Sequence, residues 1–158
     1  MPSTDQLESA IRRLQSDYWA RVDFIDPAGP EDLFTQDSTF ELGSLVLRGR
    51  DELGAFFRKR AETSAASGRT TRHLAANLRI TPRGEGRLAA STTVMVMTGY
   101  GRWPIVSGLP SIGDFNDVCV LEADGRWRFE RRSATSVFAG PDAPAFAQGP
   151  TAVEGGAR

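Results

Sequence analysis

Apolar positions at the start of the chain recur at helical spacing: Leu7, Ile11, Leu14, Tyr18, Val22 and Ile25 follow one another at steps of three and four. Ser3 and Gln6 stand where the two halves of a capping box belong. The pattern therefore predicts a helix over residues 3–25. Asp26-Pro27 and Gly29-Pro30 end it, and Pro30-Glu31-Asp32 opens a short helix through Phe34. Two short strands, 39–42 and 45–48, are predicted around Gly43. Gly49-Arg50-Asp51-Glu52 then starts a second helix with Leu53, Phe56 and Phe57 on one side, fading near Ser64. Four long strands follow, over 70–81, 87–99, 112–122 and 126–138, the last two joined by the hairpin signal Ala123-Asp124-Gly125. Helices first and an antiparallel meander afterwards predict an α+β fold with the helices on one face of the sheet. Residues 1–138 read as one domain. Residues 139–158, rich in Ala, Gly and Pro, are expected to be poorly ordered or to order on a neighbouring subunit, with Phe146 the one aromatic anchor.

Composition narrows the function classes. A chain of 158 residues with 40% hydrophobic and 25% charged positions has the make-up of a single globular domain. Lys and Arg number 19 against 20 for Asp and Glu, which leaves no positive excess to drive binding to nucleic acid or anionic lipid. One cysteine, Cys119 in a Val-Cys-Val run, excludes an internal disulfide framework and reads as a buried, inert thiol. One histidine, His73, argues against zinc or non-haem iron catalysis, so metal-free and cofactor-free chemistry is expected. Residues 1–10 carry Asp5 and Glu8 and no basic region followed by an apolar run, which suggests a cytoplasmic protein. The longest uncharged stretch, 88–101, is too short to span a bilayer.

Candidate chemistry centres on that histidine. Strand alternation puts Leu74, Ala76, Leu78 and Ile80 on one face and His73, Ala75 and Asn77 on a smaller, more polar one. Asp23 falls near the end of the first helix, where the dipole disfavours an anion unless a donor compensates. Arg132 shares a predicted strand face with Arg128 and Glu130, opposite Trp127, Phe129 and Arg131. Taken singly, each is equally an ordinary solvated side chain.

Together they form a pattern. Ala10-Ile11 with Asp17 and Val22-Asp23, then Leu47-Arg48-Gly49-Arg50-Asp51, then His73 with Asn77-Leu78-Arg79, and finally Asp124-Gly125-Arg126-Trp127-Arg128-Phe129 with Arg132, resemble the SnoaL-like branch of the nuclear transport factor 2-like superfamily. Within that branch the chain looks most like the hexachlorocyclohexane dehydrochlorinases and, more distantly, the scytalone dehydratases. The resemblance implies a curved antiparallel sheet closing with helices into a cone around a deep apolar pocket. It also implies that Asp23 orients His73 as a base and that Arg132 assists a leaving group. Tyr18 stands where the dehydrochlorinases have a lysine, which points away from dehydrohalogenation. Met95, Met97, Trp103 and Phe115 are the apolar candidates for the pocket lining, with Tyr18 as a polar handle; Met95 and Met97 read equally well as core. Arg102-Trp103-Pro104 and Gly108-Leu109-Pro110 could form a lid.

The reaction expected is proton abstraction from a small hydrophobic substrate: dehydration, or isomerisation or cyclisation of a polyketide-like or terpenoid-like intermediate. The alternative is a non-catalytic binding or scaffold subunit, as in the small subunits of ring-hydroxylating dioxygenases. An epoxide hydrolase of the limonene type would need an Asp-Arg-Asp cluster, and its motif is not found at matching positions. Leu74, Leu78 and Ile80 on an outer sheet face would need cover, so a homodimer or homotrimer is expected.

Overall fold

The computed structural model describes residues 3–148. Helix α1 spans Thr4–Val22 and begins with the capping box, Ser3 accepting from the Gln6 backbone while Gln6 returns a bond to the Ser3 N–H. It stops three residues earlier than the periodicity suggests because Asp23 is its C-cap and Phe24 turns left-handed at φ 57°. The short 3-10 turn Pro30–Leu33 leads into strand β1, Phe34–Leu42, then β2, Leu45–Arg48, and helix α2, Gly49–Ser67, closed by Gly68 at φ 66°. Strands β3 (Arg69–Pro82), β4 (Arg87–Tyr100), β5 (Ser111–Leu121) and β6 (Trp127–Phe138) complete the framework.

The six strands form one sheet in the order β2-β1-β6-β5-β4-β3. It is mixed, not antiparallel as expected, because β1 pairs parallel with β6. Both helices pack against this sheet, and the core between them is built on Ile11, Leu14, Tyr18, Trp19, Phe34, Leu53, Phe57 and Phe129. Among the described residues no helix is long and apolar enough to cross a membrane.

Two irregularities decide which side chains face inward. In β3, Ala76 pairs with Thr93 but Arg79 pairs with Ser91, so one extra residue is accommodated at Asn77, whose φ is 58°. A one-residue slip exchanges the faces of everything beyond it. Leu78 and Ile80 therefore pack against the core, while Leu74, before the slip, is 55% exposed. The expectation that all three share an uncovered outer face is corrected, and two of its three residues no longer argue for assembly. In β6, Phe129 pairs with Cys119 and Arg131 with Val118, leaving Glu130 as the extra residue. Phe129 and Arg132 consequently both point into the core, against strict alternation.

The segment after β6 departs from expectation too. Through residue 148 it packs on its own chain: the Phe146 carbonyl accepts from Ser44 N–H at 3.0 Å, the Ala147 carbonyl from the Ser136 hydroxyl at 2.5 Å, and the Ser111 hydroxyl from Gly140 N–H at 2.9 Å. Gly43 makes this docking possible, since a Cβ there would lie 1.8 Å from the Phe146 carbonyl oxygen. Residues 149–158 of the expected tail lie outside the described residues.

Candidate functional site

The sheet is open and does not close into the cone that the resemblance implies; between α1, α2 and the helix-covered face of the sheet lies a cavity of about 140 Å³. Engineered apolar cavities of ~150 Å³ take up benzene, so this one is about the size of a single ring. Tyr18, Trp19 and Val22 from α1, Phe56 and Phe57 from α2, and Val94, Val96, Ile112 and Phe115 from the sheet give it apolar walls. Ala143, Pro144, Phe146 and Ala147 cover it from the C-terminal side, with Phe146 edge-on to Phe56 at 6.1 Å. Where the loop 101–110 was expected to act as the lid, the segment after β6 takes that position.

His73 enters the wall from β3. Its Nδ1 lies 2.6 Å from Asp23 Oδ1, and its ring stacks on Trp19 with centroids 4.4 Å apart and planes 13° apart. Asp23 is held in turn: Oδ1 accepts from the Thr71 hydroxyl at 2.7 Å and Oδ2 from the His73 backbone N–H at 2.7 Å. The C-cap position thus aims the carboxylate off the helix end and onto β3, where three donors meet it. Burial pushes the Asp23 carboxyl up, but the bonds from His73 and Thr71 outweigh it and hold the group below the usual carboxylate range. For His73, burial is the larger influence and keeps the imidazole below its usual value; the Asp23 carboxylate opposes this and the charges of Arg60 and Arg69 add to it. A neutral ring whose Nδ1–H donates to a carboxylate carries its free lone pair on Nε2. The arrangement can therefore accept a proton at Nε2 and stabilise the imidazolium that results.

Tyr18 and Phe115 line the cavity as expected from the sequence. Burial pushes the Tyr18 phenol up to about 12, so it stays a neutral donor and acceptor. Met95 and Met97 do not line it. Directly paired residues of neighbouring strands point the same way, and Met95 pairs with outward Leu74 while inward His73 pairs with Val96. Trp103 is 70% exposed, donates from Nε1 to the Thr70 hydroxyl at 3.3 Å and is covered by the Arg72 guanidinium at 5.4 Å, outside the cavity. Arg132 is also not a lining residue. It is fully buried beneath the floor, its Cζ between 4.2 and 4.9 Å from the rings of Tyr18, Phe129, Phe115 and Trp19. Its nearest opposite charge is Asp117, Nε to Oδ1 3.7 Å, and none of its nitrogens makes a hydrogen bond among the described residues. Contact with a leaving group in the cavity is therefore blocked by the aromatic side chains it supports.

Sequence reasoning missed Arg60 and Arg69, which both line the cavity. Signals for both were present. Arg60 continues the helical stripe Leu53, Phe56, Phe57, and Arg69 shares strand parity with Thr71 and His73. No group of three or more His, Cys, Asp or Glu residues suited to a metal ion occurs among the described residues.

No curated protein matches the chain at a significant level. Solved structures do. A candidate scytalone dehydratase from Novosphingobium aromaticivorans superposes with a TM-score of 0.75 at 26% identity, covering 100% of both chains. ActVI-ORFA from Streptomyces coelicolor gives 0.73 at 20% identity over 85% of this chain and 98% of its own. The beta subunit of a candidate aromatic-ring-hydroxylating dioxygenase from N. aromaticivorans gives 0.68 at 17% identity over 85% and 92%. At such identities the last two carry the fold alone. The model of the SnoaL-like domain matches residues 6–133, and with the two helices on a six-stranded sheet described above, the chain belongs to the SnoaL-like domain family.

Proposed function

We propose that the protein is a cofactor-independent lyase or isomerase that removes a proton from carbon with His73. The observation that carries the reading is the 2.6 Å bond between His73 Nδ1 and Asp23 Oδ1 at the edge of an apolar, ring-sized cavity. His73 Nε2 takes the proton, Asp23 bears the countercharge, and the dry walls strengthen that interaction. Tyr18 offers a neutral hydroxyl to an oxygen of the substrate or to a departing hydroxide. Elimination of water follows if a hydroxyl lies one carbon further on; isomerisation follows if the proton returns elsewhere. Similarity to a candidate scytalone dehydratase supports the dehydratase form.

A second reading, a binding subunit without chemistry, is supported by similarity to the dioxygenase beta subunit. Incubation in deuterium oxide with a panel of β-hydroxy carbonyl compounds separates the two. The lyase reading expects the wild type to introduce deuterium next to the carbonyl and His73→Ala to introduce none. Equal exchange in the variant, or no exchange with any compound shown to bind, refutes it. His73→Ala is expected to lower stability by about 1–2 kcal/mol, because the Trp19 stack and one of three bonds to buried Asp23 are lost.

A further inference from the structure

Among the described residues the charges lining the cavity are of one sign: Arg60 and Arg69 contribute to its wall, and no aspartate or glutamate does. Both also line an open groove outside it, with Lys59, Tyr100 and Asp142, so they stand where the cavity meets solvent; Asp142 makes no ion pair with either arginine among the described residues. Arg60, from α2, is committed: it donates to the Val22 carbonyl at 2.5 Å and the Thr71 hydroxyl at 3.1 Å, and lies 5.1 Å from the Phe24 ring centre. Arg69, the first residue of β3 after left-handed Gly68, is half-buried, and its guanidinium makes no ion pair or hydrogen bond among the described residues. Two guanidinium groups converge on the mouth of an apolar hollow, one with all its donors unused. A bound anion relieves their repulsion and fills a fork suited to two oxygens. Both arginines also lower His73, in keeping with the three residues sharing the cavity wall.

We infer that the ligand of this cavity carries a carboxylate, which Arg69 holds at the mouth with Arg60 beside it while a ring-sized apolar body sits inside against Tyr18, Val94 and Phe115. Arg69 is then the specificity-determining residue. The inference shares with the proposed function only the choice of cavity, and it is tested by binding, not turnover.

The probes are phenylacetate and phenylacetamide, of equal shape and different charge, titrated by calorimetry or ligand-detected magnetic resonance. The wild type is expected to bind phenylacetate at least about tenfold more tightly. Arg69→Met should remove the preference by weakening phenylacetate far more than the amide, whose carbonyl loses only a hydrogen bond to a neutral acceptor, and Arg69→Lys should restore part of it; circular dichroism checks that both variants fold. Equal affinity of the wild type for the two probes, a preference retained in Arg69→Met, or binding of neither probe overturns the inference. A wild type that prefers phenylacetate yet exchanges no deuterium sinks the lyase reading alone, and exchange without the preference sinks the anchor alone.

Discussion

Arg132 and Asp117 differ in what each does when its partner is removed, and the difference has a sign that can be measured. Both side chains are fully buried, 3.7 Å apart, and Asp117 also accepts from Gln15 at 3.4 Å. Arginine does not shed its proton in a protein. Asp117→Ala therefore strands a buried cation among four rings and should cost about 3–5 kcal/mol. Aspartate can neutralise itself. Burial already pushes Asp117 up to about 6, and Arg132 is the main influence holding it down, so Arg132→Met carries it higher still. A folded-state value above the unfolded one means that the contribution to stability is fully present below the unfolded value and fades as pH rises through the folded one. Between pH 7 and pH 5 the wild type thus gains about 1 kcal/mol from this proton, Arg132→Met roughly twice as much because its Asp117 is carried higher, and Asp117→Ala nothing. Relative to wild type, the deficit of Arg132→Met should shrink by about 1 kcal/mol on acidification and that of Asp117→Ala should grow by as much. Urea unfolding of the three proteins at the two pH values reads both numbers, since His73 and the other titrating groups are common to all. Parallel pH dependences would refute the reasoning.

Asn77→Val places a β-branched residue at φ 58° and should cost about 1–2 kcal/mol by urea unfolding, because the slip that turns Leu78 and Ile80 inward depends on that conformation; an unchanged midpoint would contradict this. Gly43→Ala should dislodge the covering segment, and chymotrypsin should cut after Phe146 faster than in the wild type; identical cleavage rates would show that the Phe146 carbonyl is not packed on Gly43. Activity that depends on neutral His73 should hold a plateau at and above neutral pH and fall on acidification through a value below 6.5, since the imidazole is depressed; a fall beginning above 6.5 would contradict it.

The elements with a strong period were legible in the sequence: α1 from its capping box and apolar stripe, α2 from Leu53, Phe56 and Phe57, and the hairpin at Asp124-Gly125. The meeting of Asp23 with His73 came from the family resemblance, and the geometry joins the two. Register was not legible. Alternation assigns faces only until an extra residue enters, and neither Asn77 nor Glu130 announces itself as one, so Leu78 and Ile80 fell on the wrong side and Phe129 and Arg132 on opposite faces. Met95 and Met97 failed for a related reason, because only the pairing with β3 tells which parity of β4 faces inward. The parallel pairing of β1 with β6 joins residues some ninety positions apart, beyond the reach of local pattern. The tail misled by composition: Ala, Gly and Pro read as disorder, yet Phe146 and two backbone carbonyls suffice to dock the part that covers the cavity.

The central claim, that His73 waits as a neutral base with its proton on Nδ1, is open to direct measurement because the chain has a single histidine. Nitrogen-15 magnetic resonance of the imidazole ring, followed as a function of pH, reports the tautomer and the titration together. The account predicts the Nδ1–H form at neutral pH and a midpoint below 6.5; an Nε2–H ring, or an imidazole still protonated at neutral pH, would contradict it.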